Sequence, residues 1–166
     1  MGQISDCVNR LAASATFAMM QKSNELAAQG VNVVNMSVGE PDFNTPDYVK
    51  NAAKQAIDEN YSTYSPVPGY MSLRKACSDK LKRENNLDYA PTQIVVSTGA
   101  KQSLCNAIMA VVNPGDEVLL PSPCWVSYPE MVKLAGGVPV VIKAGIEQDF
   151  KVTAQQIADA ITPKTK

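Results

Sequence analysis

At 166 residues the chain has the length of one ordinary domain, with 45% hydrophobic and 19% charged residues and a formal net charge of −1. That balance provides no lysine/arginine patch for nucleic acid, and apolar-rich stretches such as 31–34 and 138–142 fall far short of a membrane span. No histidine occurs, which removes the commonest general base and with it any Ser-His or Cys-His hydrolase.

Scattered apolar positions over 5–29 predict a helix, with Gly30 placed to close it. Residues 31–37 alternate weakly and read as a short strand, broken by the turn Gly39-Glu40-Pro41-Asp42. Thr45-Pro46-Asp47 reads as a helix start: hydroxyl N-cap, proline at the first position, acid in the first turn. Val49, Ala52, Ala53, Ala56 and Ile57 then recur at helical spacing and predict one buried face. Residues 60–69, with two prolines and a glycine, are irregular, and a second helix follows with Leu73, Ala76, Cys77 and Leu81 inward.

From residue 92 strands alternate with helices. Residues 94–97 predict a strand, and 102–112 a helix with Leu104, Ala107, Ile108, Val111 and Val112 inward. A turn at 113–116, a strand at 117–120 and a helix at 127–135 come next, the helix closed by Gly136-Gly137. A strand at 138–142 follows, then a last helix at 154–161 opened by a Thr153/Gln156 capping box. This alternation predicts an α/β layer with a mostly parallel sheet flanked by helices. Residues 1–45 stand outside that rhythm and are assigned to a smaller N-terminal segment, with 46–166 forming the α/β part.

Cys7, Cys77, Cys105 and Cys124 are widely spaced and include no Cys-x-x-Cys pair. Without histidine they make a poor ligand set for zinc, so the expectation is no metal and four reduced, mostly buried thiols. The N-terminus lacks a charged-then-apolar signal, which makes the cytoplasm the expected location. Asp6 stands where myristoylation at Met1-Gly2 would require Ser or Thr.

Four segments carry chemistry. Ser97-Thr98-Gly99-Ala100-Lys101-Gln102 takes a strand through small residues into a helix, aiming backbone N–H groups and the helix dipole at one point suited to a phosphate. Many βα turns look the same, and the segment lacks the spacing of a Walker loop or a dinucleotide fingerprint. Trp125, the one tryptophan, follows the carboxyl end of a strand, where open α/β sheets bind ligands. Its indole would either stack on a flat cofactor ring or fill core. Gly39 opens a turn with an amide that could meet a ligand, though Gly-x-Pro-Asp also makes a plain turn. Tyr64 lies in the irregular stretch, where loop tyrosines are commonly surface residues.

In their order, these segments resemble fold-type-I pyridoxal-phosphate enzymes, specifically class I aminotransferases. The resemblance rests on Ser-Val-Gly-Glu-Pro-Asp-Phe-Asn-Thr-Pro (37–46), Tyr64 with Gly69-Tyr-Met-Ser-Leu-Arg74, Gly99-Ala-Lys-Gln102 and Asn113-Pro-Gly-Asp-Glu-Val118. It extends to Pro123-Cys-Trp-Val-Ser-Tyr-Pro-Glu-Met131 and Leu134-Ala-Gly-Gly137. The Trp-Val-Ser-Tyr-Pro-Glu-Met run is similar to the bacterial aspartate aminotransferase branch.

The resemblance implies the N-terminal part of a pyridoxal-phosphate-dependent transferase fold and a reaction between amino-acid and 2-oxo-acid substrates, aspartate and 2-oxoglutarate. It implies that Gly99, Ala100 and Lys101 cradle the cofactor phosphate and that Trp125 stacks on its ring beside the substrate. Tyr64 would reach the cofactor of a neighbouring subunit, which implies a homodimer with shared active sites. Gly39 would meet the substrate α-carboxylate, and Thr16 and the Lys101 side chain its distal carboxylate. For Lys101 a solvated lysine at a helix start is an equal reading.

Ala13 stands where the branch usually has proline, and Cys124 where tyrosine is common. In relatives the Schiff-base lysine, the pyridinium-holding aspartate and the arginine for the α-carboxylate lie beyond the segment matching 162–166. The expectation is therefore that no catalytic residue falls within the chain, that it is inactive by itself, and that the 94–97 strand loses its neighbours, leaving a marginal fold. An aminotransferase of prephenate or aromatic specificity, or a non-catalytic truncated product that binds a partner or dimerises, is the alternative.

Overall fold

Gly30 and Gly136 end two helices by the same device. The computed structural model describes residues 4–166, so the reading made of Met1-Gly2 lies outside the described residues. Helix α2 (Ala15–Ala28) closes with the Gly30 and Val31 N–H groups donating to the Ala27 and Leu26 carbonyls, while Gly30 holds φ +81. Helix α6 (Ser127–Leu134) closes identically, with Gly136 and Gly137 donating to Lys133 and Val132 and Gly136 at φ +85. Both are left-handed caps that a side chain at the glycine would strain.

The chain divides into two compact units. One runs to Gly39 and resumes at Leu104, and the other spans Glu40–Ser103. In the first, β1 (Glu117–Ser122) and β2 (Val138–Lys143) pair in parallel, Glu117 opposite Val138 through Ser122 opposite Lys143, with α6 between them in sequence. The Asn113–Asp116 turn enters β1, with the Asp116 carboxylate accepting from the Asn113 N–H at 2.8 Å. Val112, Leu120, Met131, Val132, Ile142 and Ala144 form the buried core. A Cβ at Gly137 would lie 2.6 Å from Val112 Cγ1, so only glycine lets this backbone pass.

Residues 164–166 run parallel to the start of β1. The Glu117 N–H donates to the Lys164 carbonyl at 2.8 Å, and the Lys166 N–H to the Glu117 carbonyl at 2.9 Å. Helix α7 (Ala154–Ala160) opens with the expected capping box, and the Gln156 Nε2 also reaches the Lys143 carbonyl at 3.2 Å.

The second unit holds α3 (Asp47–Asp58), α4 (Met71–Asn85) and the first turn of α5 (Gly99–Val111). Helix α4 meets the 3-10 turn at Pro91–Gln93, and the buried Arg74 donates from Nε to the Ile94 carbonyl at 2.8 Å.

Several expectations are corrected. The helix over 5–29 is two, α1 (Asp6–Asn9) and α2, because the Ser14 side chain caps a fresh start by accepting from the Phe17 N–H. Residues 31–37 form no strand. Among the described residues no strand pairs with them, and the Asn35 side chain turns back to accept from the Ser37 N–H. Pro46, not Thr45, is the N-cap of α3, and no side chain caps it.

Residues 94–97, expected as a strand, form none, and they belong to no ladder among the described residues. The predicted inner faces are largely uncovered: Ile57 is 75% exposed and Val111 57%. Of the expected α5 face only Val112 is buried, because two strands are too narrow a sheet to cover it. The cysteines are free, as expected, yet none is buried, and Cys124 is exposed.

Candidate functional site

Helix α5 begins at Gly99, three residues earlier than the apolar pattern predicted. The first amides of any α-helix lack partners within it and point out of its N-terminal end. Gly99 takes φ +81 and its N–H donates to the Ser97 carbonyl at 2.9 Å, turning the chain into the helix. The Thr98 N–H donates to Gln102 Oε1 at 2.6 Å. Nothing lies within 4 Å of the point where a Gly99 Cβ would stand. Ala100 and Lys101 follow in the first turn, both exposed.

The segment feeding this turn is fixed within its own unit. The Val96 N–H donates to the Pro68 carbonyl at 3.0 Å, and Gly69, at φ +98, packs where a Cβ would stand 3.0 Å from the Val96 side chain. With the Arg74 bond to Ile94, the loop of Tyr64 and the approach to Gly99 are one connected arrangement. Tyr64 is fully exposed at its tip.

In the other unit Trp125 stands between the end of β1 and the start of α6, after a cis Ser122–Pro123 bond. It is 41% exposed. The Tyr128 ring meets it edge-on, 5.6 Å between centroids at 86°, and orients the indole. Thr16 is half-buried at the second position of α2, and Gly39 is exposed outside any helix or strand.

The residues just before Thr16 and just after Trp125 share a cavity of about 390 Å³, lined by Ala12–Ala15, Val126, Ser127, Pro129 and Glu130. Glu130 accepts from the Ala12 N–H and from Lys133 Nζ, both at 2.8 Å. The Lys133 ammonium, then the Ala12 amide, hold its carboxyl below the usual carboxylate range.

Sequence reasoning assigned no role to Arg74 or Glu130. Arg74 had a visible signal, a cation on the apolar stripe of Leu73 and Cys77. Glu130 had none, because its partner is 118 residues away.

A parallel strand–helix–strand unit with an exposed indole at the carboxyl end of its first strand is an α/β frame of the kind that binds ligands at that end. The chain belongs to the class I and II aminotransferases, whose family profile matches residues 31–166.

It is 51% identical over all 166 residues to the aspartate/prephenate aminotransferase of Cereibacter sphaeroides, and covers 42% of that protein. It is 48% identical over 159 residues, 96% of the chain, to the aspartate aminotransferase of Bacillus sp. strain YM-2, covering 41% of it. Among solved structures, the aspartate aminotransferase from Thermus thermophilus with maleate superposes with a TM-score of 0.95 at 44% identity, over 100% of this chain and 44% of that one. The Rhizobium meliloti aspartate aminotransferase gives 0.94 at 38% identity, over 99% and 41%. The chain thus spans about two fifths of the length of the relatives it matches.

The family works with pyridoxal phosphate. The open helix start at Gly99 suits its phosphate, and the exposed Trp125 face suits its ring. Among the described residues no helix is long and apolar enough to cross a membrane.

Proposed function

We propose that the protein, at the length of its relatives, is a pyridoxal-phosphate-dependent aminotransferase that moves the amino group of L-aspartate to 2-oxoglutarate. The supporting observation is the 51% identity to an aspartate/prephenate aminotransferase across every residue of the chain. Residues 1–45 are proposed to contribute to a small domain and 46–166 to the large cofactor-binding domain, with no catalytic residue among the 166.

When bound, pyridoxal phosphate supplies an electron-poor ring that takes up charge from the substrate Cα and a carbon that carries the amino group. The chain's own residues bind and orient. Gly99, Ala100 and Lys101 cradle the phosphate, the Gly99 backbone allowing close approach while its own N–H stays on the Ser97 carbonyl, and the dipole of α5 assists. The Trp125 indole covers the ring and walls the substrate side, held at its angle by Tyr128. Gly39 offers its N–H to the α-carboxylate.

The Thr16 hydroxyl and the Lys101 ammonium receive the distal carboxylate, which favours dicarboxylic acids over neutral amino acids. Tyr64, projecting from its loop, serves the cofactor of a second subunit, so the working form is a homodimer. A cytoplasmic location is proposed with this amino-acid chemistry.

Prephenate is the second reading, favoured by the aspartate/prephenate relatives. It carries a carboxylate beyond its 2-oxo-acid group, which the same lysine could receive. The test is glutamate formation by the full-length protein with aspartate and 2-oxoglutarate, followed by prephenate as amino acceptor. No glutamate above background would sink the proposal, and a preference for prephenate would shift it to the second reading. A monomer by light scattering would remove the role given to Tyr64.

A further inference from the structure

The Ala12–Glu130 hydrogen bond ties together two segments that the chain brings close only on folding. One carboxylate oxygen of Glu130 is held by Lys133 on its own helix, and the other holds the backbone leading into α2. The Glu130 side chain is only 25% exposed, a setting in which a charge-assisted bond is screened less than on open surface. Residues 12–15 read Ala-Ala-Ser-Ala and are all exposed, so their short side chains have little surface with which to grip α6. The carboxylate is the polar anchor of this segment, at the wall of the cavity it shares with Val126, Ser127 and Pro129. Thr16 begins four residues after the anchored amide, and Trp125 precedes the anchor by five.

We propose that Glu130 is a positioning residue for the substrate side of the site. By fixing the residue-12 backbone it sets where α2 begins, and so where the Thr16 hydroxyl stands for the distal carboxylate of a dicarboxylic substrate. This rests on the role given above to Thr16 and assigns a residue that acts through it.

The test uses the full-length protein carrying Glu130→Ala, Glu130→Gln or Ala12→Pro. Glutamine keeps an oxygen able to accept from the Ala12 N–H. Alanine removes the acceptor, and proline removes the donor without touching α6. Hydrogen exchange over residues 8–17 reads the anchor, and kinetics with aspartate and with alanine as amino donors read its effect.

In E130A and A12P the segment is expected to exchange about tenfold faster and the KM for aspartate to rise about tenfold, the equivalent of one lost interaction of ~1.4 kcal/mol. The KM for alanine and kcat should stay within about twofold, and E130Q should restore both readouts, because uniform structural damage would move all of them together. Unchanged exchange in E130A and A12P, an equal KM rise for both donors, or a glutamine variant no better than alanine would overturn the proposal. If the unaltered protein transaminates neither donor, the proposed function falls, and the exchange rates alone then decide whether Glu130 anchors the segment.

Discussion

At the scale of single residues, two positions in the second unit carry more than their neighbours. Arg74 is 8% exposed, has no ion-pair partner among the described residues, and gives its Nε hydrogen to the Ile94 carbonyl. A buried guanidinium held this way fixes the start of the segment that runs to Gly99. Arg74→Leu would leave that carbonyl without its donor, at about 1–3 kcal/mol. The expected result is faster hydrogen exchange over 94–99 with α7 unchanged, and equal protection in both forms would refute the role.

Gly69 is under a different constraint: φ +98 and a Val96 side chain 3.0 Å from the missing Cβ. Gly69→Ala should destabilise the same unit by about 1–2 kcal/mol from backbone handedness alone, before any contact with Val96. Urea titration followed by exchange over 60–100 would show it, and a neutral outcome would mean the loop adjusts freely.

Elements are stabilised by their ends as much as by their faces. Helix α7 is seven residues long, too short to persist on propensity, and begins with the reciprocal Thr153/Gln156 box. Thr153→Ala removes one half of that box, for about 1 kcal/mol. Protection of the 154–160 amides should drop while the β1–β2 pair is unaffected.

The α6–residue-12 junction responds to pH instead. The Glu130 pKa is lowered by Lys133 and by the Ala12 amide, so its contribution is fully present above the ordinary glutamate value, about 4.3. That contribution is lost as pH falls through the lower folded value. Titrating the protein down from neutrality should therefore release the 8–17 segment only in the acid range, a release that E130Q should not show. A release near neutral pH in the parent protein would contradict the sign.

For the whole molecule the deciding fact is uncovered apolar surface. Ile57, Met109, Val111 and Val141 are each at least half exposed, and among the described residues the sheet has two strands, with an edge met at Glu117 by Thr165. Faces of this kind favour self-association or a partner chain. The 166-residue polypeptide is expected to unfold over a broad thermal range and to associate as its concentration rises. A sharp, reversible, concentration-independent transition of a monomer would show that the two units stand on their own.

The amino-acid sequence by itself determined what depends on neighbours within a few positions. Gly30 and Gly136 announce helix ends because only glycine takes the required φ without strain, and Thr153 with Gln156 announces a helix start because both bonds are local. Asn113-Pro114-Gly115-Asp116 announces a turn for the same reason, and the strand–helix rhythm after residue 112 announces the parallel pair. The order of Gly39, Tyr64, Gly99 and Trp125 was legible as a family pattern, since each lies in a short motif. Tertiary structure alone decided which predicted strands found a partner strand, since residues 31–37 and 94–97 have strand-like composition but join no ladder among the described residues. It likewise decided which apolar stripes are covered, and it alone joined Glu130 to Ala12 and Arg74 to Ile94. Periodicity records that a face is apolar, whereas burial requires a second surface, and a hydrogen bond across 118 residues leaves no mark on either segment's local sequence.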